Sequence, residues 1–330
     1  MKTINIKSQQ RNYQILIKDN LLENLNDYLE ADRFYVIISD DIIPNKYIDL
    51  VETATKSNNL LIRFPSGENS KSFFEYQRII TILQKNEIKR DACIIALGGG
   101  VTGDLAGFVA STYLRGIDYI QIPTSLLAQI DSSVGGKVAI NTDAAKNSIG
   151  SFYPPLKVLI DPRTLETLPI RHFNNGMGEM IKYGMIHSKS FFEEILNQDV
   201  HKNLEHFIYH SLQIKQYYVE NDEYDNSIRQ ILNFGHTYGH AYEAYFKFNK
   251  YLHGEAVALG MLKACKKDKV RDMLIRVLNK YNLPVDEPIN DEKVLPYIKK
   301  DKKNTKDFLN MILVDKIGEA YIQKEIYKGV

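Results

Sequence analysis

The chain has 330 residues, of which 44% are hydrophobic and 25% charged, and its formal net charge is +1 at pH 7. That length allows about two domains with a substantial core, and the composition is ordinary for a soluble globular protein. The near-neutral charge argues against a broad nucleic-acid-binding face, and the sequence has neither a signal-peptide pattern nor an apolar run long enough to span a membrane. We therefore expect a cytoplasmic protein that binds neither nucleic acid nor membrane, with Cys93 and Cys265 as buried thiols rather than a disulfide.

The first 150 residues alternate strand-like and helix-like patterns. Short apolar or alternating runs predict strands at 13–17, 34–38, 60–64, 91–97 and 119–123. Apolar residues at helical spacing predict a helix over 72–86. Strands that alternate with helices favour a mainly parallel sheet covered on both faces, so we predict a Rossmann-like α/β domain over 1–160.

Helical patterns dominate after Pro162. They predict helices near 174–186, 190–219, 226–247, 253–281 and 291–301, followed by a hairpin of 308–314 and 319–322. A mostly α-helical domain over 161–330 is therefore expected. Because ligands bind beyond the carboxyl ends of parallel strands, we expect the active site in the cleft between the two domains.

Two glycine-rich turns follow predicted strands. Gly98, Gly100 and Gly103 fit G-x-G-x-x-G, and a second turn runs from Asp131 to Lys137. Glycines before a helix let backbone N–H groups approach a phosphate, and the helix N-terminus adds its positive dipole end. The first motif is not specific alone, but a second polar turn beside it favours a site for a phosphorylated ligand.

Three segments hold residues that could bind a metal. His236 and His240 are four residues apart and would share one face of a helix, Glu179 lies within an apolar helical pattern, and His253 stands at a predicted helix start. A catalytic zinc site needs three such ligands and one open position. Spacing favours His236 and His240 as the ligand pair, and it leaves open a hydrogen-bonded core pair without metal.

Several cationic side chains stand beside these turns and histidines. They are Arg115, Lys137, Lys146, Lys182, Lys215, Arg229, Lys302 and Lys303. Any single lysine is most often a solvated surface charge. Together with the polar turns and the histidines, this set favours a pocket for a small, multiply anionic substrate.

The chain resembles the 3-dehydroquinate synthases, the sugar phosphate cyclases of the shikimate pathway. The resemblance extends from Ser66 to Lys303 and depends most on the blocks 99–104, 123–137, 179–184 and 233–240. It implies a phosphate-eliminating lyase of chorismate and aromatic amino acid biosynthesis. That reaction converts 3-deoxy-D-arabino-heptulosonate 7-phosphate to 3-dehydroquinate and phosphate, through transient oxidation by NAD, phosphate elimination, re-reduction and an intramolecular aldol closure.

The resemblance also implies site residues. The implied NAD contacts are Ser66, Gly67, Glu68, Asn69, Ser70, Lys71, Gly100, Val101, Thr102, Gly103, Asp104, Thr124, Ser125, Lys137, Lys146, Thr164, Leu165, Glu166 and Thr167. The implied catalytic and substrate-binding residues are Asp131, Lys137, Lys182, Lys215, Arg229, Asn233 and His240, with Arg115, Asn147 and Lys302 at the substrate phosphate. Zn²⁺, or Co²⁺ in its place, would be held by Glu179, His236 and His253, which replaces the His236–His240 pair favoured by spacing. A homodimer is implied, with Arg115 reaching the neighbouring subunit's site.

The chain departs from the family pattern at a few positions. Ser125 replaces a usual threonine, Val138-Ala139 a usual Thr-Gly, and Gly178 a usual alanine. A glycine inside a helix costs about 1 kcal/mol relative to alanine, so Gly178 is expected to loosen helix packing. The alternatives are a cyclase for another sugar phosphate, an iron- or zinc-type polyol dehydrogenase, and an inactive NAD-binding regulator.

Overall fold

The computed structural model describes residues 1–56, 58–142, 145–289, 291–299 and 308–326. By their internal contacts these residues form two compact units, Met1–Leu168 and Pro169–Val330. We call them the N-terminal unit and the C-terminal unit. No helix in the described part of the chain combines the length and apolar character that crossing a membrane requires.

The N-terminal unit contains a mainly parallel sheet. In chain order the strands are β1 (Lys2–Ile6), β2 (Tyr13–Ile17), β3 (Tyr35–Asp40), β4 (Asn59–Phe64), β5 (Cys93–Gly98), β6 (Asp118–Pro123), β7 (Lys137–Ile140), β8 (Ile149–Phe152) and β9 (Lys157–Ile160). Apart from β7 and β8, which pair with each other, they form one sheet in the order β1-β2-β9-β6-β5-β3-β4. β1 and β2 pair antiparallel, and the other neighbours pair in parallel.

Both faces of this sheet are covered, as the sequence predicts. Successive residues of β3 show it: Val36 and Ile38 join one buried cluster, whereas Tyr35 and Ile37 join another. The covering helices include α1 (Asn45–Ala54), α2 (Phe73–Lys85) and α3 (Gly100–Thr112). The five predicted strands are confirmed as β2 to β6 and the predicted helix as α2, with ends displaced by two residues at most.

The C-terminal unit is mostly helical. Its elements are α4 (Ile170–His187), α5 (Lys189–Asn197), α6 (Leu204–Asn221), α7 (His236–Tyr245), α8 (His253–Ala264), α9 (Asp268–Lys280), α10 (Asp291–Lys299) and the hairpin of β10 (Phe308–Lys316) and β11 (Glu319–Ile326). The predicted hairpin is confirmed, and its strands are longer than the sequence pattern indicates.

Three helices predicted as continuous are interrupted, so those predictions are wrong in extent. The 190–219 segment divides into α5 and α6 around a short turn that Asp199 caps by accepting the His201 N–H at 3.1 Å.

The 226–247 segment consists of a 3-10 helix, Ile228–Asn233, followed by α7, because Gly235 adopts φ +79° between them. The 253–281 segment breaks at extended Cys265 and Lys267. Helical periodicity persists across such breaks because consecutive helices bury apolar faces in the same unit.

The two cysteines are buried free thiols, as the sequence predicts. Burial raises the pKa of the Cys93 thiol and of the Cys265 thiol to about 12. Both thiols are therefore protonated at neutral pH, and they act as small packing groups.

A buried carboxylate joins distant parts of the N-terminal unit. The Asp161 carboxylate, just after β9, accepts the backbone N–H groups of Asn20, Leu22 and Arg163, each at 3.0 Å. These bonds tie the chain after β2 to the end of β9. Removing the acceptor leaves backbone donors unsatisfied in a largely dry environment.

We expect Asp161→Ala to lower the free energy of unfolding by about 2–4 kcal/mol because it orphans these donors. Asp161→Asn keeps one acceptor oxygen and should lose less. Urea unfolding measures both, with the exposed Asp49→Ala as the control. Equal stability of Asp161→Ala and Asp49→Ala would contradict the role given to this carboxylate.

Candidate functional site

Three helices of the C-terminal unit bring one carboxylate and two imidazoles together. Glu179 lies on α4, His236 begins α7 and His253 begins α8. Glu179 Oε1 lies 3.6 Å from His236 Nε2 and 3.5 Å from His253 Nε2. Ligand atoms on a tetrahedral zinc, each about 2.1 Å from the metal, are about 3.4 Å apart, so this spacing fits a metal.

His236 is arranged as a neutral imidazole. Its Nδ1 lies 3.1 Å from the carbonyl oxygen of Phe234, which can only accept, so Nδ1 is the protonated nitrogen. The lone pair is then on Nε2, the atom that faces Glu179. Burial, chiefly, holds the pKa of His236 well below its usual value, so the ring does not carry a proton at the nitrogen a metal would use.

His253 lies between two carboxylates. Its Nε2 faces Glu179, and its Nδ1 lies 3.5 Å from Oε2 of Glu243. Burial alone would lower the pKa of His253, but Glu243 and Glu179 outweigh it and raise that pKa to about 10. A cation among these groups is thus favoured by the surrounding charge, whether it is a proton or a metal ion.

Three cationic side chains of the C-terminal unit are buried. Lys182 forms an ion pair with Glu179, one helical turn away on α4, and only 2% of Lys182 is exposed. Lys215 on α6 and Arg229 in the 3-10 helix are also buried. Buried lysines and arginines are rare unless they are paired, so the ordinary surface interpretation of these three residues is wrong.

Arg229 is held at both ends. The Asp222 carboxylate accepts the backbone N–H of Ser227 at 2.6 Å and that of Arg229 at 3.0 Å. The Arg229 guanidinium donates to the carbonyl oxygen of Glu223. This fixes a rigid donor fork suited to a carboxylate or a phosphate.

The start of α8 is bound to α4 along one face. Arg171 Nε and Nη2 donate to the two carboxylate oxygens of Glu255 at 2.7 and 2.8 Å, and Asn175 Oδ1 accepts the N–H of Gly254 at 2.6 Å. A Cβ on Gly178 would lie 2.6 Å from the carbonyl oxygen of Gly254. The glycine at 178 thus permits a close approach of the two helices, where we expected looser packing.

α7 and α8 also approach closely through glycines. A Cβ on Gly260 would lie 1.9 Å from the carbonyl oxygen of Gly235, and one on Gly239 would lie 3.2 Å from that of Ala256.

The close approach of α7 and α8 brings the His236 and His253 rings together, with their centroids 5.1 Å apart. The 5.2 Å between the His236 and His240 centroids places His240 beside this group.

In the N-terminal unit, the first glycine turn lies where the sequence predicts it. α3 begins at Gly100, directly after β5, and Thr124 after β6 donates its N–H to the carbonyl oxygen of Gly98 at 3.0 Å. A Cβ on Gly103 would lie 2.8 Å from Gln121 Oε1, so β6 packs directly against the helix start. The backbone N–H groups of the first turn of α3, together with the positive end of the helix dipole, suit the binding of an anion.

Lys71 connects several of the implied NAD contacts. Its ammonium contacts the carboxylate of Asp104 and the side-chain oxygen of Asn147. Glu68, three residues earlier, lies 3.8 Å from the ammonium of Lys146. The structure therefore brings the 66–71 turn, the start of α3 and the segment after β7 together.

The remaining implied NAD residues lie in two places. Ser125 is beside the first turn, where a Cβ on Gly99 would lie 3.5 Å from its Oγ. Thr164 lies in a 3-10 helix, Pro162–Thr167, and its Oγ1 accepts from Gln129 Nε2 at 3.0 Å. The carboxylate of Asp40, which the sequence analysis does not single out, accepts a hydrogen bond from Thr102 Oγ1 at 2.9 Å. The sequence signal that could have drawn attention to Asp40 is an acidic residue at the carboxyl end of a buried strand.

Other implied residues are placed separately. Arg115 is exposed and lies in a turn, where its φ is +66°. Lys137 is also exposed, and its ammonium lies 6.0 Å from the ring centroid of Phe152. Asp131 lies in the helical turn Ala128–Ser132. Lys302 and Lys303 lie outside the described residues.

Comparison with known proteins identifies the family. Residues 61–175 match the family model described as 3-dehydroquinate synthase N-terminal, and residues 176–304 match 3-dehydroquinate synthase C-terminal. The chain belongs to the 3-dehydroquinate synthase family. It is 43% identical to the 3-dehydroquinate synthase of Clostridium botulinum (strain Alaska E43 / Type E3), over 98% of each chain. It is therefore an enzyme of this family, as the sequence motifs indicate.

Solved structures agree with the fold. A 2-deoxy-scyllo-inosose synthase, crystallised with carbaglucose-6-phosphate, NAD⁺ and Co²⁺, has a TM-score of 0.89 at 29% identity, covering 98% of this chain and 97% of that one. A probable glycerol dehydrogenase from Sinorhizobium meliloti 1021 has a TM-score of 0.64 at 16% identity, over 87% and 89%. The second likeness shows a shared fold alone.

We expect Gly254→Ala to lower the free energy of unfolding by about 1–3 kcal/mol, because the new Cβ overpacks the contact between α4 and α8. That Cβ would lie 1.9 Å from the carbonyl oxygen of Asn175, a backbone atom that cannot rotate away. Urea unfolding measures the loss. Gly99→Ala is the matched control, since its Cβ would meet only an ordinary contact at 3.5 Å. An unchanged midpoint for Gly254→Ala would refute the close packing.

Proposed function

We propose that this enzyme is a cytoplasmic 3-dehydroquinate synthase, a lyase that converts 3-deoxy-D-arabino-heptulosonate 7-phosphate into 3-dehydroquinate and phosphate. Glu179, His236 and His253 would hold Zn²⁺ or Co²⁺, and the N-terminal unit would hold NAD. The observation that carries the proposal is the family match in both units, combined with three candidate ligand atoms that all lie within 4.8 Å of one another. Support for the cofactors comes from the NAD⁺ and Co²⁺ in the similar cyclase structure.

The residues present fit both groups. The metal would meet one carboxylate oxygen from buried Glu179 and two imidazole nitrogens from half-buried His236 and His253, a donor set typical of catalytic zinc. The NAD pyrophosphate would meet the first turn of α3, where Gly100 admits a close backbone approach. When bound, the metal polarises a substrate hydroxyl and NAD reversibly accepts a hydride.

The substrate chemistry sets what the side chains must do. Oxidation of the C5 alcohol acidifies the C6 proton, phosphate leaves by β-elimination with itself as the base, and re-reduction, ring opening and aldol closure follow. Electrons balance because the hydride taken in the first step is returned in the third. The protein must therefore hold one conformer of an anionic substrate and exclude water through every step.

Buried cationic side chains of the C-terminal unit would keep the anionic substrate in that conformer. Arg229 and Lys215 would bind the substrate carboxylate and hydroxyls, and Lys182 would donate to substrate oxygens beside Glu179. His240 and Asn233 would bind the substrate phosphate. The burial of all three cations supports these roles, because desolvated donors bind anions more strongly than solvated ones do.

The remaining contacts come from segments outside that cluster. Asn147 and Lys302 would complete the phosphate site, and Asp131 and Lys137 would bind substrate hydroxyls and the reacting end. We also propose a homodimer in which Arg115 reaches the substrate phosphate of the neighbouring subunit. The exposed position of Arg115 supports this, because such a side chain is accessible to another subunit.

We expect a fixed stoichiometry between substrate consumed, phosphate released and product formed. With Zn²⁺ and catalytic NAD, the enzyme should release one phosphate per 3-deoxy-D-arabino-heptulosonate 7-phosphate and form one 3-dehydroquinate, with no net NADH. A phosphate assay, product chromatography and absorbance at the NADH band measure the three quantities. Lasting NADH without phosphate would indicate a polyol dehydrogenase, and phosphate release only from a substrate without the carboxylate would indicate another cyclase.

We also expect activity to depend on a bound metal. Chelator treatment should abolish phosphate release, and Zn²⁺ or Co²⁺ should restore it. Glu179→Gln should weaken Zn²⁺ binding by more than about 100-fold, because loss of a ligand costs more than loss of an outer partner. Competition with a chromophoric chelator measures the affinity. Glu75→Gln, which alters a buried carboxylate paired with Arg78 at 2.7 Å on α2, should bind Zn²⁺ as the unmodified enzyme does.

A further inference from the structure

One buried carboxylate beside the metal-ligand candidates has no role in the function proposed above. Glu243 lies on α7 and is 7% exposed, and its Oε2 lies 3.5 Å from Nδ1 of His253. The opposite nitrogen of the same ring, Nε2, lies 3.5 Å from Glu179. His253 is therefore placed with a carboxylate on each side of its imidazole.

The position of Glu243 follows from the helix. It stands seven residues after His236 on α7, two turns along the same face. α8 packs against that face through Gly239 and Gly260, which lets the His253 ring reach Glu243. One helix thus provides a ligand at its first turn and a partner for the second histidine two turns later.

A neutral imidazole has one donor nitrogen and one acceptor nitrogen. A metal needs the lone pair of Nε2, so the proton must be on Nδ1, where a carboxylate is the strongest acceptor available. We propose that Glu243 is a positioning residue for the metal site: it accepts the Nδ1 proton of His253, fixes the tautomer and ring orientation, and so raises the affinity for the metal. The proposal rests on the metal site of the proposed function.

Glu243 also belongs to a second group of possible ligands, with His240 and His253. A metal in that group would need the lone pair of His253 Nδ1. The same neutral ring cannot offer lone pairs from both nitrogens, so binding there would compete with the Glu179 and His236 group. If Glu243 instead accepts a hydrogen bond from Nδ1 of His253, the Nε2 lone pair remains available to the group of Glu179 and His236. The geometry therefore favours the acceptor role for Glu243.

The test measures metal affinity and metal environment in the full chain. Zn²⁺ dissociation constants come from competition with a chromophoric chelator, and the visible absorption spectrum of the Co²⁺-loaded protein reports ligand geometry. The variants are Glu243→Ala, which removes the acceptor, and Glu243→Gln, which keeps size and one acceptor oxygen but loses the charge. The matched control is Glu194→Gln, because Glu194 contacts His206 Nε2 at 2.7 Å, away from this cluster.

We expect Glu243→Ala to raise the Zn²⁺ dissociation constant by about 10–100-fold and to change the Co²⁺ spectrum. Glu243→Gln should show a smaller rise, and Glu194→Gln none. In a His253→Asn background, Glu243→Gln should add no further loss, since Glu243 acts through His253. Thermal unfolding of each metal-free variant checks that it is folded. This check separates lost positioning from lost stability.

Two results would overturn the inference while leaving the metal site in place. One is unchanged Zn²⁺ affinity and Co²⁺ spectrum in both Glu243 variants while Glu179→Gln loses metal. The other is two bound Zn²⁺ ions per chain, one of them lost in Glu243→Gln, which would make Glu243 a ligand. If Glu179→Gln itself keeps full affinity, the metal site of the proposed function fails and this inference fails with it.

Discussion

The close contact of α4, α7 and α8 is the constraint on which the candidate metal site depends. Each helix supplies one candidate ligand, and side chains as short as glutamate and histidine converge only if the helix backbones nearly touch. Glycines make that approach possible: Gly178 meets Gly254, and Gly235 meets Gly260. A methyl group at any of these positions would overlap a backbone carbonyl, which cannot move aside as a flexible side chain can.

Charge is arranged around this contact. The Glu179 carboxylate is paired with buried Lys182 and faces two histidines, one of them backed by Glu243. Burying so many ionisable groups costs free energy unless each has a partner, so such a cluster indicates a candidate functional site. The N-terminal unit follows the same rule, since Lys71 pairs with Asp104 and contacts Asn147. In both units, charged groups far apart in sequence are held by specific partners rather than by solvent.

Prediction from the sequence succeeded where the physical signal is local. Buried strands β3 and β5 are continuous apolar runs, and the G-x-G-x-x-G turn at Gly98 is followed at once by a helix. It failed where one residue interrupts a periodic pattern. The helix predicted over 226–247 is interrupted at Gly235, whose left-handed backbone is invisible to hydrophobic periodicity. The helix predicted over 190–219 is interrupted at Asp199, whose backbone is extended. The short strands β1, β7, β8 and β9 were missed because four or five residues give little periodicity, although β2, which is equally short, alternates clearly enough to be predicted.

The sequence by itself determined the family and the α/β and helical halves, and it supplied the residue types of the candidate site, because motifs and periodicity are properties of neighbouring residues. Spacing alone favoured His236 with His240, since the two share a helix face. The family resemblance implied that Glu179 and His253 join His236, but only the tertiary structure shows why they meet, because that meeting depends on how three separate helices pack. The same packing gives His253 its partner, Glu243, whereas the partner of His236, the carbonyl oxygen of Phe234, is a local contact only two residues away in sequence. It also reversed the expectation for Gly178, whose missing methyl group is the space into which α8 fits.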